Sequence, residues 1–182
     1  WLPASEGQYL ESGIWKIVLT PEKIVDGRYD LWMSDGRARG SYTRFLRPDP
    51  GVTLTIPSAA SRILAVGAYN SRTNGYAAFS GRGWPGKTHG VRPDLVAPGV
   101  EITTTAPGGG YRTVTGTSFS VPFVTGSAAL LMEWGIVRGN DPFLYGEKVR
   151  AYLQRGARPL PGFEVYPNEM VGYGEDVIIR LH

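Results

Sequence analysis

The sequence has 182 residues, of which 19 are Lys or Arg and 16 are Asp or Glu, so the formal net charge is only +3. The basic residues are scattered, which favours a solvated surface over a nucleic-acid-binding arm. A hydrophobic fraction of 42% is enough for a packed core and excludes a disordered chain. There is no apolar run of about 18 residues, so no membrane-spanning segment is predicted. The absence of cysteine excludes disulfides, thiol catalysis and cysteine zinc sites.

Residues 1–50 are predicted to be rich in β-structure. Side chains alternate along Trp15–Leu19 and again along Tyr29–Met33, with the period of two that is typical of strands. Asp26-Gly27 lies between these segments and predicts a turn. The Pro- and Gly-containing stretch Arg47–Gly51 is the predicted boundary of this segment.

The first residue, Trp1, is not a Met and is not followed by a signal-peptide pattern. We therefore expect the chain to start inside a larger protein.

Residues 51–182 are predicted to alternate strands with helices, which is typical of an α/β architecture. Short apolar runs predict buried strands, at Ile63–Ala68, Leu95–Ala97, Val100–Thr105 and Val177–Ile179. A turn is predicted at Gly108–Gly110.

Two segments have apolar residues at the three- and four-residue spacing of helices. The first predicted helix starts at Ser118, has Pro122 near its start and ends near Trp134. The second is predicted to be capped by Asp141, with Pro142 in its first turn, and to end at Arg155-Gly156.

The segment Gly116–Gly126 places Ser118 at the N-terminus of the first predicted helix. Unpaired N–H groups and the positive end of the helix dipole favour an anion there, such as a tetrahedral oxyanion. Gly116 and Thr117 are small enough for a substrate backbone to approach. These residues alone leave two interpretations open: Ser118 is a nucleophile, or Thr117 or Ser118 is only a helix N-cap.

The same segment resembles the nucleophile motif of the subtilases, Gly-Thr-Ser-Met-Ala-Xaa-Pro-His-Val-Ala-Gly. The shared residues are Gly116, Thr117, Ser118, Pro122, Val124 and Gly126, and the departures are Phe119, Ser120, Phe123 and Thr125. Three further segments resemble subtilase motifs in the same order, so that the resemblance covers roughly residues 55–180: Ile63–Gly83, Arg92–Val100 and Gly172–Gly174.

The resemblance implies that residues 51–182 are the C-terminal part of a subtilisin-like catalytic domain, a parallel sheet with flanking helices. It implies a serine endopeptidase that cleaves a peptide or protein substrate through an acyl-enzyme on Ser118, whose backbone N–H is one oxyanion donor. In subtilases the triad Asp and His and the oxyanion Asn precede this part of the chain. They are therefore expected in an N-terminal portion of the same protein, and this chain alone is expected to be inactive.

Other polar residues are interpreted as structural. His89 is expected in a surface loop and His182 at a mobile end, Asp94 is expected to form structural hydrogen bonds, and Asn70, Asn74 and Asn168 are expected in turns. A pseudoprotease or scaffolding protein that keeps the subtilase fold without activity is the alternative function. A binding module in the N-terminal segment is a third, and it requires an exposed aromatic face there.

Residues 1–50 resemble the last strands of a jelly-roll module that is inserted in the catalytic domain of the clostridial spore-germination proteases called Csp. Leu144–Lys148 and Arg155–Arg158 are also similar to that subgroup, which implies an extracellular or spore-associated bacterial location.

No cofactor is predicted, and calcium, which subtilases often bind, has no dense acidic cluster to hold it. Neither nucleic acid nor membrane is an expected partner. A surface left uncovered by the N-terminal portion predicts a dimer of this chain or a retained partner.

Overall fold

The computed structural model describes residues 13–33, 42–84 and 90–177. The chain divides into two units, Trp1–Leu46 and Arg47–His182.

The described residues of the first unit contain no strand or helix. Trp15 and Val18, which lie on opposite sides of the predicted alternation, are 66% and 68% exposed. The strands predicted at Trp15–Leu19 and Tyr29–Met33 are therefore wrong, because alternation of side chains does not by itself supply the backbone pairing that a strand needs. The jelly-roll-like module over residues 1–50 stays a prediction.

The second unit is built on a sheet with the strand order β2-β1-β3. Strand β1 (Val66–Asn70) pairs in parallel with β3 (Leu95–Pro98) and antiparallel with β2 (Gly75–Tyr76). The prediction of β3 is confirmed, and its first three residues are fully buried, as expected of a strand covered on both faces.

Strand β1 starts at Val66 rather than at the predicted Ile63. The N–H of Ala65 donates to the carboxylate of Asp94 at 2.7 Å, and the carbonyl of Ala65 accepts from the N–H of Asp94 at 2.8 Å. The N–H of Ala65 is thus bonded to a side chain instead of to the backbone of a neighbouring strand, and β1 begins one residue later.

The far edge of β3 is paired by the segment Gly174–Asp176. Val96 donates to the carbonyl of Gly174 at 2.9 Å, and Asp176 donates to the carbonyl of Val96 at 2.8 Å. The last strand was predicted at Val177–Ile179, but Val177 is not in a strand, and residues 178–179 lie outside the described residues. The backbone hydrogen bonds to β3 are therefore formed by residues 174–176, before the predicted strand.

Strands β4 (Ile102–Thr105) and β5 (Tyr111–Val114) form a separate antiparallel hairpin. The predicted turn at Gly108–Gly110 is confirmed, and its three glycines have φ of 82°, 103° and 78°, values that favour glycine. Strand β4 begins after Glu101, whose φ of 53° interrupts the extended chain.

Helix α1 (Thr117–Met132) continues into a π-helical segment (Glu133–Val137). Its buried face packs on β1 and β3 through four side chains: Ser120, Val124, Ser127 and Leu131. The helix prediction is confirmed here.

Helix α2 (Gly146–Gly156) buries Val149 and Leu153 against α1. Its predicted end is confirmed, but the predicted cap at Asp141 is wrong. The carboxylate of Asp141 accepts from Lys148 Nζ at 2.9 and 3.0 Å, so it is not used to cap backbone N–H groups, and the turn after Asp141 precedes the helix.

Within the described residues, Thr117–Val137 is long and apolar enough to cross a membrane by length and composition. The apolar-run argument did not foresee this stretch. Because one face packs on the sheet, this helix is the core helix of the second unit. Packing on the sheet does not account for the apolar residues on its other faces.

Candidate functional site

Ser118 is the second residue of α1, and it is exposed. The N-cap residue is Gly116, and no described side chain caps the helix. Thr117 and Ser118 therefore do not have the capping role that the sequence left open. The N–H groups of Thr117 and Ser118 begin the helix and have no carbonyl one turn earlier within it to accept their bonds, so an anion beside Ser118 would meet them together with the positive end of the helix dipole.

Gly116 makes the turn from β5 into α1. Its φ of 150° and ψ of 157° lie in a region that essentially only glycine occupies. Its N–H donates to the carbonyl of Gly99 at 2.8 Å, and its carbonyl accepts from the N–H of Phe119 at 3.0 Å. The chain entering α1 is thus held to the residue that follows β3.

Gly99 allows close packing beneath this turn. A Cβ at Gly99 would collide with the Ser120 hydroxyl and lie 2.7 Å from the Cβ of Ala68. Next along the chain, the N–H of Glu101 donates to Thr115 Oγ1 at 3.0 Å. The two contacts fix the start of α1 relative to the end of β3.

The remaining motif residues lie farther along α1. Pro122 is exposed inside the helix, past its first turn, so the carbonyl of Ser118 cannot receive the usual bond from residue 122. Gly126 is also exposed, and nothing lies within 4 Å of a Cβ built on it. Within the described structure, no packing contact requires a glycine at position 126.

Asp94 is a structural residue, as predicted. It is fully buried, and its carboxylate accepts from both Arg92 and Arg150, from Gln154 Nε2 at 2.7 Å and from the N–H of Ala65 at 2.7 Å. Burial lowers the pKa of Arg92, while the charge of Asp94 opposes this effect. A carboxylate saturated in this way has no free position for orienting a catalytic histidine.

Of the three asparagines predicted in turns, Asn74 lies in one, whereas Asn70 is the last residue of β1 and Asn168 pairs with Gly172 in an isolated bridge. Asn70 Oδ1 accepts from the N–H of Arg72 at 2.9 Å, Asn74 has a φ of 52°, and Asn168 Oδ1 accepts from the N–H groups of Met170 and Val171. His89 and His182 lie outside the described residues. In the described ranges, no group of three or more His, Cys, Asp or Glu is placed to hold a metal ion, so no calcium site is assigned.

An apolar groove of about 310 Å³ runs beside α1. It is lined mainly by aliphatic side chains of β1, α1 and α2, among them Val66, Val121, Ala128, Met132 and Leu153. Val121 and Met132, which lie on the same side of the helix, are 46% and 44% exposed. Helix α1 therefore has an uncovered apolar side in addition to its buried face.

A contact that the sequence did not predict joins α1 to the C-terminal segment. Ser127 Oγ donates to Asp176 Oδ2 at 2.7 Å. No spacing rule relates these residues, and the only sequence signal is a serine on the apolar face of a helix.

Comparison with known proteins matches residues 43–174 to the subtilase family. Subtilisin BL of Lederbergia lenta is 31% identical over 119 residues, which are 65% of this chain and 39% of that protein. Subtilisin E of Bacillus subtilis (strain 168) is 41% identical over 81 residues, which are 44% of this chain and 19% of that protein.

Among solved structures, the Clostridium perfringens CspB protease matches 75% of this chain and 29% of its own, with a TM-score of 0.71 and 47% identity. The prenylagaramide maturation protease PagA matches 71% of this chain and 45% of its own, with a TM-score of 0.58 and 31% identity. This chain therefore spans less than half the length of each of these relatives.

Proposed function

Since the chain belongs to the subtilase family, we propose that Ser118 is the nucleophile of a serine endopeptidase. The observation that carries the proposal is the exposure of Ser118 in the first turn of α1, two residues after a glycine held in a glycine-only conformation. That placement leaves the hydroxyl accessible and puts helix N–H groups beside it. The CspB and PagA structures, whose printed names are those of proteases, support the same reaction class.

In the proposed reaction, Ser118 Oγ attacks the carbonyl carbon of the scissile peptide bond, and a histidine accepts the serine proton. The backbone N–H of Ser118 donates to the oxyanion that forms. Collapse of the tetrahedral intermediate expels the amine, which receives the proton from the histidine, and water then hydrolyses the acyl-enzyme. Gly116 and Thr117 form the entry into α1 directly before Ser118, and the motif residues Pro122 and Gly126 follow it on the same helix.

We further propose that the histidine, the aspartate that orients it and an oxyanion asparagine belong to an N-terminal portion of the same protein. The uncovered side of α1 supports this, because a helix that is apolar all round is normally buried all round. The empty groove along α1 and the open space at Gly126 would accommodate the packed segment. Relatives more than twice as long as the matched region have the additional chain that such a portion requires.

A fluorophosphonate probe tests the nucleophile in the longer protein that contains this chain. We expect labelling of the wild type and of Thr125→Ala, which removes another exposed hydroxyl of α1, and none of Ser118→Ala. Failure to label well-folded wild-type protein would favour the pseudoprotease alternative.

The isolated chain is expected to hydrolyse peptides far more slowly than the longer protein. In subtilisin itself, removing triad members costs several orders of magnitude in rate. Rapid hydrolysis by the purified chain, unaffected by Ser118→Ala, would contradict the assignment of the nucleophile. Rapid hydrolysis that Ser118→Ala abolishes would contradict only the assignment of the base to another portion.

A further inference from the structure

The hydroxyl of Ser127 has two acceptors but only one proton. Its Oγ lies 2.7 Å from Asp176 Oδ2 and 3.2 Å from the carbonyl oxygen of Phe123, one helical turn earlier. A serine hydroxyl donates one hydrogen bond and can accept others. A serine proton shared between the two acceptors would give two weakened bonds, whereas both contacts are full hydrogen bonds if Asp176 itself carries a proton and donates it to Ser127.

The surroundings of Asp176 favour the protonated carboxyl. Its Oδ1 is buried and has no hydrogen-bond partner among the described residues, and no Lys or Arg of the described chain forms an ion pair with it. An ionised carboxylate would leave this oxygen buried without a donor, which is costly. Burial accordingly raises the pKa of Asp176, and the bond from Ser127 opposes that effect only in part.

The titratable neighbours of this carboxyl are Glu175, which precedes it on its own segment, and Tyr69 of β1, on which the charge of Asp176 acts. Tyr69 of β1 is hydrogen-bonded to Glu175, and the charges of Glu175 and Asp176 both act on the Tyr69 hydroxyl. Burial, followed by Glu175, raises the pKa of Tyr69 above its ordinary value, so Tyr69 stays neutral wherever Asp176 titrates. From α1, the facing polar group is the Ser127 hydroxyl.

We propose that Asp176 and Ser127 form a proton-controlled hydrogen-bond switch in the helix that carries Ser118. When Asp176 is protonated, it donates to Ser127 Oγ, and Ser127 donates to the carbonyl of Phe123. When Asp176 releases its proton to solvent, Ser127 donates to the carboxylate, and the Phe123 carbonyl loses the side-chain bond.

The switch alters α1 because bonds from serine to the carbonyl four residues earlier bend helices slightly. The Phe123 carbonyl lies in the turn that follows the one containing Ser118. Asp176, in turn, is held to β3 by its backbone bond to Val96. Ionisation at the edge of the sheet is thereby coupled to the geometry of α1. This inference does not depend on a catalytic role for Ser118.

Carbon-13 NMR of the 182-residue chain tests the switch across a pH titration. We expect the side-chain carboxyl carbon of Asp176 and the backbone carbonyl carbon of Phe123 to titrate with one common midpoint, above that of an ordinary aspartate. In Ser127→Ala, the Phe123 carbonyl should stop following pH while Asp176 still titrates. In Asp176→Asn, it should also be independent of pH, which keeps the test usable if one variant fails to fold.

Thr125 provides a matched control on the same helix. Its Oγ1 donates to the carbonyl of Val121 at 3.0 Å, and no hydrogen bond from its side chain to an acid is present in the described structure. The Val121 carbonyl should therefore not titrate with Asp176. Glu175→Gln should leave the response of Phe123 in place. A pH-independent Phe123 carbonyl in the wild type, or one that still titrates in Ser127→Ala, would overturn the proposal.

Discussion

The N–H of Gly116 donates to the carbonyl of Gly99 at 2.8 Å, and this bond ties the start of α1 to the end of β3. Ser118 is therefore presented by a turn held against the sheet rather than by a free loop. Gly116 makes this bond in a conformation that residues with a Cβ avoid, so the glycine has a structural role of its own at the start of α1.

Gly116→Ala is expected to destabilise the chain by about 1–3 kcal/mol, because alanine would be strained at φ 150°. Gly126→Ala is the matched control from the same motif. A Cβ at Gly126 meets nothing, and alanine is about 1 kcal/mol more favourable than glycine within a helix, so this variant should be more stable than wild type. Urea unfolding of the two variants measures both effects, and equal destabilisation by both would contradict the role assigned to Gly116.

Asp94→Asn is expected to lower the free energy of unfolding by about 3–5 kcal/mol, because it leaves the buried guanidinium of Arg92 without its counter-charge. Arg72→Ala breaks an ion pair with Glu101 whose side chains are 70% and 53% exposed, and it should cost at most about 1 kcal/mol. Denaturant midpoints compare the two variants. A small effect of Asp94→Asn would show that the cluster is not needed for stability.

The stability of the chain should depend on pH through Asp176. Burial raises its pKa in the folded state above the ordinary 3.8, so the folded chain binds more protons than the unfolded chain between the two pKa values. The free energy of unfolding should therefore fall as the pH rises through that window and be greatest, for this group, below the unfolded pKa.

Asp176→Asn should remove that slope and be more stable than wild type above the window, by about 1.4 kcal/mol for each pKa unit that separates the folded from the unfolded state. Urea midpoints from acid to neutral pH measure it. Asp141→Asn is the control, since that carboxylate is paired with Lys148. A wild-type slope that persists unchanged in Asp176→Asn would assign the effect to another group.

The isolated chain is expected to self-associate through the uncovered side of α1, as a dimer formed in place of the N-terminal portion. Met132→Lys should weaken association, since it puts a charge on a half-exposed apolar position of that surface. Val165→Lys changes an apolar residue that is 71% exposed elsewhere on the second unit, and it should have no effect. Sedimentation velocity at several concentrations distinguishes these outcomes, and a monomeric wild type would contradict the expected dimer.

Features that depend on neighbours in the sequence were predictable. The three consecutive glycines predict the hairpin turn because they tolerate positive φ, and the fully apolar run at Leu95–Ala97 predicts β3 because a strand buried on both faces has no polar side. The Gly-Thr-Ser segment at the start of a helical pattern likewise locates Ser118, and with the other motifs it identifies the family.

Tertiary structure decided what depends on distant partners. Trp15–Leu19 has the alternation of a strand but is not in one, because alternation decides which side chains share a face and not which backbone groups are brought together. Asp94 receives bonds from Arg150 and Gln154, 56 and 60 residues away, and Ser127 bonds to Asp176 across 49 residues. A buried carboxylate is stabilised by whichever donors the fold brings to it, and local sequence patterns do not encode that choice. The sequence alone therefore identified Ser118 and its helix, whereas the fold decided which polar groups hold that helix in place.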